Sequence, residues 1–407
     1  MEGGVDQHKN LTTTNTTNST NTTTECWNEY CWDEDTYYDA IYTHIAPKDY
    51  EWFFIILYIV TFIVGLVGNT LVCFAVWRNE AMRTITNVFI VNLAVGDFLV
   101  ILICLPPTLI QDVTETWFLG TAVCKAVLFL QSTSVTVSVL TLSAIAVERW
   151  WAICYPLRFK STLPRARKII LIIWIVAFLA SLPELIVAHA FPFQFPAPIS
   201  SSLFTHCKPA WDNLNQGVYQ IFVVVFFYLL PIVLMTLTYT HIATVLWSRE
   251  IPGDVVGSKK SGRKPMLDSN RKSQEEQIMA RRKAAKMLIA IVVMFALCYL
   301  PVHLMSLLRY FNVVYSGNKS DAQIADSLIA QSLVNHWLPY FNSALNPVIY
   351  NFMSAKFRKE FKAACYCCFS KLGRRPLNVR RDHTFTMTFS NSNYSNCHTE
   401  EVTMASI

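Results

Sequence analysis

Seven long runs with at most one charged residue each recur along this chain of 407 residues and constrain its fold more than any other feature. Each run is long enough to cross a hydrocarbon layer ~30 Å thick, which takes roughly 20 helical residues. Barrel strands are shorter and alternate in polarity, so the runs predict an all-α membrane protein with a seven-helix bundle. We call them spans one to seven: residues 52–77, 84–111, 126–147, 169–190, 213–248, 287–308 and 327–355.

Composition and charge placement exclude the soluble classes. Charged residues make up 15% of the chain, whereas a soluble domain carries about 25%. The net charge of +6 does not predict a nucleic-acid partner, because the basic residues lie in the loops between apolar runs. The expected surroundings are a lipid bilayer.

The distribution of Lys and Arg predicts the orientation. The first fifty residues hold two lysines against nine acids, whereas residues 158–168 hold five basic residues, 249–286 eleven and 356–381 nine. Because basic loops stay in the cytosol, we expect the N-terminus outside the plasma membrane and the C-terminus inside. Residues 1–24 have no apolar core for a signal peptide, so the first span is expected to direct export.

The N-terminal tail, residues 1–50, is expected to be extracellular and glycosylated. It contains four Asn-X-Ser/Thr sequences, at Asn10, Asn15, Asn18 and Asn21. A Thr/Asn-rich run generates such sequences by chance, but an exterior position exposes them to glycosylation.

Two exterior cysteines are placed to join span three to a long loop. Cys124 lies at the outer end of span three, and Cys207 lies in the loop before span five. Both face the oxidising side, so they can form a disulfide that fastens the loop over the mouth of the bundle. A small loop between Cys26 and Cys31 is left open as an alternative.

The cytosolic part is expected to begin with an interfacial helix. The transmembrane domain covers 51–351, with a third cytosolic loop at about 249–280, and residues 352–364 have Phe on one face among basic residues. This pattern predicts a short amphipathic eighth helix, followed by a cytosolic tail at 365–407. Cys365, Cys367 and Cys368 then become expected palmitoylation sites. Zinc binding is the weaker interpretation, since no second ligand pair lies nearby in the sequence.

Asp97 predicts a polar cluster inside the bundle. A charge at bilayer depth costs at least roughly 2.5 to 3.5 kcal/mol, so this carboxyl needs a partner or a purpose. Polar residues at a similar depth are Asn69, Ser138, Asn342, Ser343 and Asn346. One interpretation is a hydrogen-bonded cluster that fixes helix packing. The other is a sodium site formed by Asp97, Ser138, Asn342 and Asn346, and both stay open.

The cytosolic end of span three carries an acid next to a base. Glu148 and Arg149 precede Trp150, and Arg149 follows Cys124 by twenty-five residues. A helical rise of 1.5 Å places it about 37 Å away, at the other face of the membrane. Prolines inside the fifth, sixth and seventh runs predict hinge points at Pro231, Pro301 and Pro347.

The ordered set of motifs resembles the rhodopsin-like (class A) G-protein-coupled receptors over residues 50 to about 365. The motifs are Gly68-Asn69, residues 92–97 (Asn-Leu-Ala-Val-Gly-Asp), Glu148-Arg149-Trp150, Trp174, residues 295–301 (Phe-Ala-Leu-Cys-Tyr-Leu-Pro) and residues 346–350 (Asn-Pro-Val-Ile-Tyr). The chain departs from the family where it has Glu148-Arg149-Trp150 for Asp-Arg-Tyr and Tyr299 for Trp. The resemblance implies a receptor that passes an extracellular signal to a heterotrimeric G protein.

Within that family, several runs are similar to the orexin receptors and the insect allatotropin receptors. They are residues 47–52, 114–118, 138–143, 281–283, 298–301 and 336–338. This likeness implies an allatotropin- or orexin-like neuropeptide as ligand. Ser306 and Val223 stand where orexin receptors carry Asn and an aromatic residue, which counts against orexin itself.

Gln131, two helical turns below Cys124, restricts the ligand most. Amine receptors resemble one another in having Asp there, and a neutral amide cannot form that ion pair. It can donate to and accept from a peptide backbone. By resemblance, the cavity is lined by Thr108, Asp112, Gln131, Glu184, Tyr219, His336 and Tyr340. If Glu184 faces the cavity ionised, it favours a peptide with Lys or Arg near its buried end; a carboxyl at the exterior interface is the alternative.

We expect two arrangements of the bundle, with the peptide favouring the one in which span six swings outward at Pro301. Residues 281–283 are basic, so span six offers Arg149 no acid, and Glu148 is expected to take that role. The predicted switch residues are Glu148, Arg149, Tyr239, Tyr299, Pro301, Asn346, Pro347 and Tyr350.

The resemblance also implies the intracellular partners. They are a G protein of the Gq class, which leads to calcium release, and arrestin, which the C-terminal tail recruits after phosphorylation by receptor kinases.

Other functional classes fit the sequence less well. A transporter or channel usually shows inverted repeats or charged rows through several spans, whereas the clear acids inside the spans here are Asp97 and Glu184. An enzyme is not expected, because the sequence has no nucleophile–base pair or metal motif at bilayer depth. No cofactor is expected apart from the sodium ion. The rivals within the family are receptors for another amidated neuropeptide or for a small ligand such as an amine.

Overall fold

The computed structural model describes residues 33–155, 162–195, 201–248, 265–310 and 322–372. Several sequence predictions concern residues outside these ranges. They are the glycosylation sites Asn10, Asn15, Asn18 and Asn21, the pair Cys26 and Cys31, part of the third cytosolic loop, and the tail from residue 373 onward.

The described chain is built from long helices that pack side by side. Spans one to four are Asp49–Arg78, Ile85–Ile103 continued by Leu105–Thr114, Gly120–Cys154, and Leu163–Val187; spans five to seven are Asn213–Val224 continued to Leu230–Ser248, Pro265–Tyr310, and Ala322–Met353. Six of the described helices are long and apolar enough to cross a membrane. Span seven packs against spans one, two and six. The predicted seven-helix, all-α architecture is confirmed.

Span five changes its helical geometry ahead of Pro231. Val225–Leu229 forms a π-helical turn between the two α-helical parts. Proline lacks an N–H, and its ring would clash with the carbonyl four residues earlier, which here belongs to Phe227 inside that turn. The wider turn accommodates the proline without ending the helix.

Three helical segments differ from the sequence expectation in extent. Span six begins at Pro265, although 249–280 was expected to be a loop, and the interfacial helix is Ala355–Leu372 rather than 352–364. A further helix, Glu34–Ile45, lies within the N-terminal tail. The extension of span six, residues 265–280, is polar and contains Glu, Gln, Lys, Arg and Ala, which favour helix without being apolar. Hydrophobic runs therefore marked only the parts that lie in lipid.

A short hairpin covers the outer end of span three. Strands β1 (Ala188–Phe191) and β2 (His206–Pro209) pair antiparallel, with Ala190 opposite Cys207. The predicted disulfide between Cys124 and Cys207 is confirmed, with the two Cα atoms 5.6 Å apart. The hairpin is thereby held against the extracellular end of the bundle.

Spans one and seven approach closely at Gly68. A Cβ atom there would lie 2.7 Å from Pro347 Cβ and 2.9 Å from Pro347 Cγ. Proline has a rigid ring, so a side chain at position 68 could not be accommodated by a change of rotamer. The glycine is required by packing.

Gly68→Ala is expected to lower the thermal unfolding temperature of the detergent-solubilised protein, since overpacking of this kind costs typically ~1–3 kcal/mol. Gly96→Ala is the matched control, because its new Cβ would make an ordinary contact of 3.6 Å with Val137. Equal unfolding temperatures for the two variants would contradict the close packing of spans one and seven.

Candidate functional site

The centre of the bundle contains a buried carboxylate with polar neighbours from two other helices. Asn346 Nδ2 donates to Asp97 Oδ2 at 2.7 Å, and Ser138 Oγ donates to Asp97 Oδ1 at 3.5 Å. Asn342 is also buried, one helical turn above Asn346. Three residues of the expected sodium site, Asp97, Ser138 and Asn346, thus meet where spans two, three and seven pack together, and a hard cation would find oxygen ligands there.

Two asparagines extend this polar layer to the other helices. Asn69 Nδ2 donates to the carbonyl oxygens of Gly65, at 2.9 Å, and Ser343, at 3.2 Å, which links spans one and seven. Asn92 receives a hydrogen bond from the Trp174 indole and donates to Thr141 Oγ1, both at 2.8 Å. Spans two, three and four are joined by this second set.

Near the extracellular end of the bundle, a hydrogen-bonded group is organised around Asp112. Tyr58 donates its hydroxyl proton to Asp112 Oδ2 at 2.8 Å, and His336 Nδ1 lies 2.8 Å from Asp112 Oδ1. The Asp112 side chain is only 5% exposed, whereas that of His336 is 44% exposed. Asp112 is therefore placed to orient His336, and His336 is the member of the pair that a ligand can reach. Beside them, Thr108 and Tyr340 share a hydrogen bond of 2.8 Å.

The other expected ligand residues lie on spans three, four and five. Tyr219 donates to the Ala180 carbonyl at 3.1 Å and lies within electrostatic range of Glu184. Glu184 is half-buried, and its Oε2 has no hydrogen-bond partner within the described ranges. Gln131, also half-buried, lies on span three. The structure thus brings Asp112 to His336, Thr108 to Tyr340 and Tyr219 to Glu184.

The structure adds polar residues that the sequence did not single out. Gln220 Nε2 and His303 Nδ1 lie 3.2 Å apart and join spans five and six below the cavity. The His303 ring lies 4.8 Å from Tyr228 and 6.0 Å from Tyr299. Tyr58 was missed in the same way. Each of these residues is visible in the sequence as a polar side chain within an apolar run. The sequence does not show whether that side chain faces the interior of the bundle or the lipid.

At the cytosolic end, Arg149 is held by its own helix and by span two. Arg149 Nε lies 3.6 Å from Glu148 Oε2, and Arg149 Nη2 donates to Thr86 Oγ1. Thr86 in turn donates to Glu148 Oε2 at 3.2 Å. Thr86 thus completes a three-residue cluster in which Glu148 balances the guanidinium charge.

A cavity of about 190 Å³ opens beside this cluster, between spans three, five and six. Its wall includes Arg149, Tyr239 and Arg281, with apolar side chains among them. Arg281 confirms that the sixth span contributes a base here, where an acid would be needed to pair with Arg149. The cavity brings Arg149, Tyr239 and Arg281 to one place at the cytosolic end of the bundle.

The remaining expected switch residues lie within spans six and seven. Tyr350 is buried, stacks on Phe357 of the interfacial helix at 5.4 Å, and has no hydrogen-bond partner for its hydroxyl among the described residues. Tyr299 is buried 4.7 Å from Phe295. Pro301 and Pro347 lie inside their helices as expected.

The interfacial helix places one of the three expected lipidation sites at the surface. Cys365 is an exposed free thiol. Cys367 and Cys368 follow on the same helix, but their side chains lie outside the described part of the chain.

Comparisons with known proteins agree with this arrangement. The family model for the seven-transmembrane receptors of the rhodopsin family matches residues 68–350. The chain is 33% identical over 316 residues to a QRFP-like peptide receptor of Branchiostoma floridae, covering 77% of each chain. It is 34% identical over 336 residues to neuropeptide FF receptor 1 of Rattus norvegicus, covering 80% of this chain and 73% of the rat protein. The likeness to orexin and allatotropin receptors stays a prediction.

These matches cover most of the chain. They also bear out the expectation that the protein is not an enzyme, since the family consists of receptors. By its fold, its motifs and its relatives, the chain belongs to the rhodopsin family of seven-transmembrane receptors.

Proposed function

We propose that this protein is a neuropeptide receptor of the plasma membrane, with its N-terminus outside, that activates a heterotrimeric G protein. The observation that carries the proposal is the set of polar side chains near the outer end of the bundle. Spans two and seven offer His336 held by Asp112, and span four offers Glu184, whose buried Oε2 has no hydrogen-bond partner among the described residues. Gln131 stands where amine receptors have an acid, so a peptide suits the cavity better than a small amine.

Glu184 indicates the chemistry of the peptide. The buried Oε2 of Glu184, which has no partner in the described ranges, favours a guanidinium or ammonium group from the ligand. The names of the two relatives point to peptides of the QRFP and neuropeptide FF kind as the first probes. An allatotropin- or orexin-like peptide, the expectation from sequence motifs, belongs in the same panel.

Glu184→Gln is expected to reduce the potency of a cationic peptide by about tenfold or more, because hydrogen bonds to charged groups contribute ~1.5–3 kcal/mol. A peptide analogue whose basic residue is replaced by a neutral one should be equally potent on the wild type and on this variant. Asp212→Asn, an exposed carboxyl on the same side of the membrane, is the control. Equal losses for the cationic and neutral peptides would count against the ion pair.

The cytosolic cluster supports a switch based on Arg149. Glu148 and Thr86 hold the guanidinium at spans two and three, where Arg149 lines the neighbouring cavity. Outward movement of span six at Pro301 would widen that cavity for a G-protein helix. The peptide acts by binding the widened arrangement more tightly, and its effect is limited by that difference in affinity.

Glu148→Gln is expected to raise basal signalling several-fold, because the loss of the negative charge weakens the arrangement in which Arg149 is held. Nucleotide exchange without peptide, at matched surface expression, measures this effect. Glu80→Gln is the control, since Glu80 forms an exposed pair with Arg83 at 3.5 Å on the same face. Unchanged or reduced basal exchange in Glu148→Gln would contradict the proposal.

The Gq class, arrestin and receptor kinases remain the proposed intracellular partners. Calcium release is the expected output, and a panel of purified heterotrimers tests the G-protein class.

Two kinds of modification are proposed for the same receptor: palmitoylation at Cys365, Cys367 and Cys368, and glycosylation at Asn10, Asn15, Asn18 and Asn21. Mass spectrometry of protein purified from animal cells tests both.

A sodium ion beside Asp97 is proposed as a negative regulator of peptide binding. A cation held by spans two, three and seven would favour the arrangement described above, so it would oppose the peptide.

Replacing sodium by choline at constant ionic strength is expected to raise peptide affinity about fivefold in the wild type and to leave Asp97→Asn unchanged. Ser134→Ala, which alters a hydrogen bond to Gly96 without touching Asp97, is the control and should respond as the wild type does. A sodium effect that persists in Asp97→Asn would place the ion elsewhere.

A further inference from the structure

A hydrogen bond between two aromatic side chains joins spans three and five at their cytosolic ends. Trp150 Nε1 donates to His241 Nδ1 at 2.7 Å, and the two rings lie 6.1 Å apart. Trp150 also packs edge-on against Trp151, at 5.1 Å, and Tyr155, at 5.4 Å. The indole is thus fixed both by its own helix and by its neighbour.

The chemistry of this bond assigns a role to each ring. An indole N–H can only donate, so His241 Nδ1 accepts with its lone pair. A ring that carried a proton on Nδ1 would offer the indole no acceptor there. Only a side chain with an acceptor at the position of Nδ1 can replace His241 in this contact.

The bond lies next to the proposed switch. Trp150 follows Arg149 directly, and His241 lies two residues from Tyr239, about 200° around span five. Arg149 and Tyr239 line the cytosolic cavity, so the Trp150–His241 bond connects the same two helices outside it. Sliding or rotation of span five against span three would break the bond, since hydrogen bonds weaken steeply when they lengthen or bend.

We propose that His241 is a positioning residue that, through Trp150, holds spans three and five in the arrangement in which Arg149 stays with Glu148 and Thr86. The inference rests on the proposed receptor function. It adds a second restraint on the resting state, located outside the Arg149 cluster. Loss of the bond shifts the equilibrium toward the signalling arrangement.

The test compares basal nucleotide exchange of receptor variants in nanodiscs with a heterotrimer that the wild type activates. Trp150→Phe keeps an aromatic ring but removes the donor, and His241→Phe removes the acceptor. Each should raise basal exchange by about 2- to 10-fold, the factor that the net contribution of one hydrogen bond allows. The double variant should match the single ones, because residues in one contact are not additive.

A conservative replacement separates the hydrogen bond from general packing. The amide oxygen of Asn occupies nearly the same position as the Nδ1 atom of His, so His241→Asn should keep basal exchange within about twofold of the wild type. Trp151→Phe is the matched control for loss of an indole beside Trp150. The unfolding temperature of every variant is measured first. If Trp150→Phe or His241→Phe folds poorly, the comparison with the wild type uses the other of these two variants.

Three results would overturn the inference while leaving the receptor function intact. They are basal exchange equal to wild type in Trp150→Phe, equal behaviour of His241→Asn and His241→Phe, or fully additive single effects. Failure of the receptor function itself has a different signature, namely wild-type protein that no peptide activates with any heterotrimer.

Discussion

A carboxylate buried inside an apolar bundle must be paired, and the packing of this protein depends on how Asp97 is paired. Its two oxygens accept hydrogen bonds from Ser138 and Asn346, so three helices meet at one point. Asn69 and Asn92 bring in spans one and four by the same kind of bond. Lipid supplies no water to satisfy these groups, so the helices can pack only with their polar faces turned toward one another.

This polar layer separates two regions with different roles. Toward the outside, the disulfide of Cys124 and Cys207 fastens a hairpin over the end of the bundle that holds Asp112 and Glu184. Toward the cytosol, Glu148 and Thr86 hold Arg149 beside a smaller cavity. The helices connect the two ends, and a ligand can influence the cytosolic end only by binding one arrangement of the helices more tightly than another.

The sequence was sufficient for the architecture because lipid imposes a simple rule of length and polarity. It was sufficient for the disulfide because the two cysteines lie on the oxidising side. It did not reveal Tyr58, Thr86 or His241, since each pairs with a residue on another helix and the rotation of each helix is set by packing. The helical extension at Pro265 was missed because its polar residues carry no hydrophobic signal. Motifs identified the family, whereas the peptide depends on details of the cavity.

The central claim is that an extracellular peptide drives nucleotide exchange through movement of these helices. The most direct measurement uses purified protein in nanodiscs, a panel of purified heterotrimers including the Gq class, and the peptide panel that contains neuropeptide FF and a QRFP peptide. We expect at least one peptide to accelerate exchange on at least one heterotrimer, and a change of Glu184 to Gln to weaken that response. Exchange that no peptide accelerates on any heterotrimer would contradict the claim.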